Sequence, residues 1–261
     1  MTAASIHEAA EALWGHWQHA TRLGALPASL RPADRAAGYA IQARVAEISG
    51  QRVSGWKIAA TSAAGQAHLK VDGPLAGRLL DGRVVSQGAT VSLTGNSMTV
   101  AEAEFAFRLG RDLPPRHHPY VTDEVVGALE ALHTAIEVPD SRFDDFTIVG
   151  APQLIADNAC ASWFVLGPEV EADWRRVALD AHEVQGFRNG THAATGRGSN
   201  VLGSPLLAMT WIANELRLVG PGLRAGDVVT TGTCLAPIAV TPGDRVTMDY
   251  GEFGTIDAAF D

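Results

Sequence analysis

Cysteine is almost missing. Cys160 and Cys234 are the only two among 261 residues. Two thiols cannot build a disulfide framework or a four-thiolate zinc site, so they read as free buried thiols in a reducing compartment. Positive charge is scarce too: 20 Lys and Arg stand against 29 Asp and Glu, a formal charge of −9. A duplex-binding surface needs a basic excess, so no nucleic-acid partner is expected. No apolar run reaches the roughly 20 residues of a bilayer-spanning helix, so no membrane partner is expected. The start, Met1-Thr2-Ala3-Ala4-Ser5-Ile6-His7-Glu8, lacks a basic stretch followed by an apolar core. The expectation is a soluble cytoplasmic protein. No Gly-x-Gly-x-x-Gly run follows a strand pattern, which leaves a dinucleotide fold unsupported. Ser62, Ser141 and Ser162 lack a nucleophile-elbow context.

Apolar residues make up 46% of the chain and charged residues 19%, an ordinary globular balance. Residues 6–22 carry Ala9, Leu13, Trp17 and Ala20 at helical steps. A second helix is expected over 32–49, between Pro32 and Gly50. Together they suggest a small helical N-terminal lobe over 1–50, ahead of a β-rich domain over 51–261. Strands are expected at 53–58, 98–109, 134–138 and 161–166, and short helices at 63–69 and from Thr122 to about Leu132. Ala178–Val184 and His192–Thr195 flank Gly186–Gly190 as a hairpin. A helix opens at Ser204-Pro205, and four short strands follow at 227–231, 238–240, 246–250 and 255–260. The fold class is α+β.

Chemistry concentrates in Val100-Ala101-Glu102-Ala103-Glu104-Phe105-Ala106-Phe107. Strand alternation puts Glu102 and Glu104 on one face and Ala101, Ala103, Phe105 and Phe107 on an apolar one. Two such carboxylates raise each other's pKa unless a positive group intervenes, and a hard divalent cation would relieve the repulsion. A solvated strand face with two surface glutamates fits the same alternation. Glu137 follows the apolar Ala135-Ile136, and a carboxylate in that setting needs a partner, either an arginine such as Arg142 or a shared cation. Lys57 in Gly55-Trp56-Lys57-Ile58 reads as an acid/base group or as a snorkelling surface lysine. His117-His118 and the pair His16 and His19 are weak ligand patterns, and Trp163, Trp174 and Trp211 read as core.

Three runs together carry a resemblance: Gly55-Trp56-Lys57-Ile58, Ala101-Glu102-Ala103-Glu104-Phe105-Ala106-Phe107, and Ala135-Ile136-Glu137-Val138-Pro139-Asp140-Ser141-Arg142. Ile155-Ala156-Asp157-Asn158-Ala159, Leu223-Arg224-Ala225-Gly226-Asp227 and Thr231-Gly232-Thr233 follow in order. The set resembles the fumarylacetoacetate hydrolase superfamily over about residues 35 to 260, most of all its 2-keto-4-pentenoate hydratase and 4-oxalocrotonate decarboxylase branch. The resemblance implies a mixed β-roll, a Mg²⁺ or Mn²⁺ cofactor and a homo-oligomer. It implies metal ligands at Glu102, Glu104 and Glu137, an active-site lysine at Lys57, and a loop aspartate over the site at Asp72. It also implies a substrate-carboxylate neighbour at Thr233 and site-supporting residues at Arg142 and Asn158. Leu75-Ala76-Gly77, Ser97-Met98-Thr99-Val100, Cys160-Ala161-Ser162-Trp163 and Thr233-Cys234-Leu235-Ala236-Pro237 depart from that branch's usual runs.

The expected activity is metal-dependent hydration of a small unsaturated 2-oxo acid, 2-hydroxypenta-2,4-dienoate-like, within the catabolism of aromatic compounds. Decarboxylation of a 4-oxalocrotonate-like diacid is the alternative. C–C hydrolysis of acylpyruvates and a non-catalytic assembly subunit follow.

Overall fold

The computed structural model describes all 261 residues. Helix α1 (Ala3–Gln18) starts at Thr2, whose hydroxyl accepts the Ser5 amide. Helix α2 (Arg35–Ser49) starts at Asp34, whose carboxylate accepts the Ala37 amide, and stops at Gly50 with φ 66°. That left-handed stop suits glycine, which has no Cβ to clash. Both expected helices form, each with shifted limits. Their buried residues, including Ala9, Leu13, Ile41 and Val45, join the same 58-residue apolar cluster as the strands that follow.

In chain order the remaining elements are β1 (Val53–Ala59), α3 (Ala63–Leu69), β2 (Leu75–Leu80), β3 (Val84–Ser86), β4 (Thr90–Val91), β5 (Val100–Leu109), α4 (Thr122–Val126), β6 (Leu129–Val138), α5 (Ala151–Ala156), β7 (Trp163–Glu169), β8 (Glu183–Arg188), β9 (Thr191–Arg197), α6 (Pro205–Val219), β10 (Val228–Thr233), β11 (Ile238–Ala239), β12 (Arg245–Asp249) and β13 (Thr255–Phe260). An eight-stranded mixed sheet runs β2-β1-β10-β5-β6-β7-β3, with β11 added to the end of β5. A five-stranded sheet runs β4-β13-β12-β8-β9. The α+β expectation holds. The apolar face of β5 supplies the joint between the sheets. Phe105 meets Tyr250 edge to face at 5.3 Å, and the Tyr250 hydroxyl approaches the Glu104 and Ala135 carbonyls at 2.9 and 3.1 Å.

Two expectations change. The helix from Thr122 stops at Val126, and Leu129–Leu132 belong to β6. Leu-Glu-Ala-Leu has strong helix propensity, but pairing with β5 at eight positions overrides it. Strand β6 is also buried on both faces after Glu130, so it shows no alternation to read. In the hairpin, the first strand is Glu183–Arg188, not Ala178–Val184. Only Asn189-Gly190 turn, with φ 52° and 78°, the paired positive values of a tight two-residue hairpin turn.

A buried ion pair fixes the segment after β6. Arg142 donates to the Asp157 carboxylate from Nε and to the Asp140 and Ala161 carbonyls from Nη1, both at 2.9 Å. Ser141 Oγ donates to Asp157 at 2.7 Å. Arg142 is 3% exposed and Asp157 1%. Removing one partner of such a pair leaves a buried charge uncompensated. Arg142→Met is expected to lower unfolding free energy by about 3–5 kcal/mol in urea denaturation. A loss below about 1 kcal/mol, the range of exposed pairs, would refute a structural role for this pair.

Candidate active site

Register brings the acidic side chains together. In the β5–β6 pair, Glu102 lies directly opposite Glu137, and Glu104 lies opposite Ala135. Opposed residues on one face have Cβ atoms about 5 Å apart, and like charges there repel. One oxygen from each of Glu102, Glu104 and Glu137 falls within 4.8 Å of the other two. Lys57 comes from β1, which is separated from β6 by β10 and β5. Three strand spacings in a flat sheet amount to roughly 14 Å. Yet Lys57 Nζ is 3.0 Å from Glu137 Oε1. The sheet therefore curls, with these four side chains on its concave face.

The cluster is short of donors. Glu104 Oε2 accepts from the Thr230 hydroxyl and, at 2.7 Å, from the Gly232 amide. Glu104 Oε1 and both Glu137 oxygens have no hydrogen-bond donor, the Lys57 contact being an ion pair out of hydrogen-bond alignment. Glu104 is fully buried and Glu137 is 1% exposed. Buried carboxylate oxygens without donors are costly unless a cation or a proton meets them. Burial, then the neighbouring Glu137, pushes Glu102 up to about 7. Burial, then Glu137 and Glu102, drives Glu104 well above the carboxylate range. Burial acts to lower the Lys57 pKa, but the summed fields of Glu137, Glu104 and Glu102 outweigh it, so the ammonium is held charged. Three converging carboxylates, with orphaned oxygens on Glu104 and Glu137, fit a divalent cation such as Mg²⁺, Mn²⁺ or Ca²⁺.

A strained turn completes the floor. Asn158, Ala159 and Cys160 are all left-handed, with φ 55°, 50° and 61°. The turn delivers the Ala159 carbonyl to Lys57 Nζ at 3.0 Å. It is held by the Asn158 amide, which accepts from Arg78 N at 2.6 Å and donates to Arg78 O at 2.8 Å. Neighbouring Gly77 leaves room for it, since a Cβ there would stand 2.3 Å from the Asn158 carbonyl.

A cavity of about 580 Å³ opens over the cluster. Of the expected site residues, Lys57, Glu102 and Thr233 line it. Glu104 and Glu137 lie beneath, within reach of Glu102. Arg142 and Asn158 are buried away from its wall and make the structural bonds described above. Asp72 is exposed on the turn between α3 and β2, outside the cavity wall, where its field reaches Arg35. His16 and His19 point apart, to Thr21 and the Gly15 carbonyl. Sequence reasoning missed Thr230, which shares the strand of Thr231-Gly232-Thr233 and was visible only through it. It also missed His68, Phe146 and Asn200, which line the cavity from three separate segments with no local signal.

Residues 80–260 match the family described as fumarylacetoacetate hydrolase C-terminal. A 2-keto-4-pentenoate hydratase of Dechloromonas aromatica is 36% identical over 233 residues, covering 87% of this chain and 86% of its own. A 2-hydroxyhexa-2,4-dienoate hydratase of Comamonas testosteroni is 37% identical over 220 residues, covering 83% and 81%. Among solved structures, the 4-oxalocrotonate decarboxylase of Pseudomonas putida G7, complexed with magnesium and adipate, superposes with a TM-score of 0.90. It is 28% identical and covers 100% of this chain and 99% of its own. The β-roll and the branch expected from the ordered motifs both hold: the chain belongs to the fumarylacetoacetate hydrolase family, beside the 2-keto-4-pentenoate hydratases.

Proposed function

We propose that this protein is a divalent-cation-dependent hydratase acting on a small 2-hydroxy-2,4-dienoate. The observation that carries the reading is the meeting of three carboxylates, two of them with buried oxygens that lack donors, beside a cavity open to a small organic acid. The hydratase names and coverage of the relatives support the same activity. Glu102, Glu104 and Glu137 would hold Mg²⁺ or Mn²⁺. A cation held there would offset their charge and draw electron density from the carboxylate and 2-oxygen of the substrate.

The chain's own side chains then have defined work. Lys57 Nζ, on the cavity floor, exchanges protons with the conjugated carbons or steadies the substrate carboxylate. The enol hydroxyl loses a proton and the far diene carbon gains one. Water then adds across the remaining double bond, its oxygen to C4 and its proton to C3, giving a 4-hydroxy-2-oxo acid. Thr233, opposite Glu104 in the sheet, flanks the carboxylate end. Arg142 and Asn158 serve by holding the Asn158–Cys160 turn. Decarboxylation of a 2-oxo diacid is the second reading, favoured by the likeness to the decarboxylase structure.

Incubation with Mg²⁺ and 2-hydroxypenta-2,4-dienoate is expected to bleach the dienol absorbance and yield a 4-hydroxy-2-oxo acid. Release of CO₂ from 4-oxalocrotonate with no hydration would move the assignment to the decarboxylase. Glu104→Gln is expected to abolish Mg²⁺ binding in calorimetry while circular dichroism stays native; unchanged cation affinity would count against the ligand set. A third expectation concerns pH. The folded-state pKa of Glu102 is raised to about 7, above its unfolded value. Its stabilising contribution is therefore present at acid pH and lost as pH rises through about 7. A bound cation offsets that loss, so the Mg²⁺-dependent rise in Tm should be larger at pH 8 than at pH 6. An equal rise at both would contradict it.

A further inference from the structure

The cavity is much larger than the head group assigned to it. Its 580 Å³ equals roughly nineteen water-sized molecules at about 30 Å³ each. An unsubstituted hydroxypentadienoate has only about eight non-hydrogen atoms and leaves roughly half of that space unfilled. The surplus is apolar. Leu69, Met98, Phe146, Leu235 and Pro237 are among its lining residues. Cys160, Leu235, Ala236 and Pro237 belong to two of the runs in which this chain departs from its branch, and all four line the cavity.

The charge pattern narrows the ligand further. No arginine lines the cavity, and Lys57 is its only lysine. That ammonium is already engaged at 3.0 Å by both Glu137 and the Ala159 carbonyl. His68 is exposed at the rim, its ring edge-on to Phe146 at 5.9 Å. A distal carboxylate entering this space would give up its hydration with no free cation to receive it. An apolar tail would gain by leaving water.

We propose that the substrate carries a bulky uncharged tail at the far end of the diene, packed against Leu69, Met98 and Phe146, and that 2-oxo diacids are disfavoured. This rests on the head-group reading above, so binding and turnover are measured separately. Calorimetry in saturating Mg²⁺ compares pyruvate, 2-oxo-4-phenylbutanoate and 2-oxoglutarate. The phenyl compound is expected to bind at least about tenfold more tightly than pyruvate, with 2-oxoglutarate weakest. In turnover, 2-hydroxy-6-phenylhexa-2,4-dienoate is expected to exceed 2-hydroxypenta-2,4-dienoate in kcat/KM by a similar factor. Leu69→Arg, on a helix with no buried residue, should reverse the order of the phenyl compound and 2-oxoglutarate. Pyruvate or 2-oxoglutarate binding to the wild-type protein as tightly as the phenyl compound would overturn the proposal. Hydration of the unsubstituted dienoate at equal kcat/KM would overturn it while leaving the hydratase standing. The expected binding order without hydration of any dienoate would uphold the tail pocket and remove the hydratase.

Discussion

Three carboxylates and one ammonium meet at one point of the fold, and only Glu102 among the acids faces the cavity. Glu104, Glu137 and Lys57 are each 3% exposed or less. Acidic side chains gathered in this way raise the free energy of the fold unless positive charge offsets them. One lysine supplies a single charge against three. The deficit is built into the chain and is most simply met by a divalent cation. Much of the surrounding architecture serves to keep the four groups facing one another despite their repulsion. The curl of the large sheet carries β1 toward β6, the Thr230 hydroxyl and the Gly232 amide pin one oxygen of Glu104, and Tyr250 locks the reverse side of β5 to the second sheet.

The Asn158–Cys160 turn shows what that constraint costs. Left-handed backbone is unfavourable by roughly 1–2 kcal/mol per residue without glycine. Three such residues in succession persist only because the surroundings over-determine them. Arg142 grips Asp157 on one side of the turn, and the Asn158 amide grips the β2 backbone on the other. The product is one carbonyl aimed at the lysine nitrogen. Arg142 and Asn158 thus hold the turn whose carbonyl meets Lys57, without standing on the cavity wall.

Legibility followed the locality of the cause. The Glu102/Glu104 pair was readable because alternation along a strand is local, and the helix start at Ser204-Pro205 was readable for the same reason. Strand β6 was misjudged at its start because its helix-favouring residues are overruled by pairing with β5. Asp72 was placed over the site by analogy, but the turn that carries it faces solvent. His68, Phe146 and Asn200 come to one cavity from distant segments, and nothing within a few residues of each announces it.

The amino-acid sequence by itself determined which residues are acidic on which strand face, the α+β class, and, through the order of its motifs, the family. Only tertiary structure decided that Glu137 lies opposite Glu102, that Lys57 reaches across three strand positions, and that the space above them is wide and apolar. The physical reason is that strand register and sheet curl are properties of pairs of distant segments. Residue patterning specifies what each face can bury, and the meeting of faces specifies what the buried groups can do.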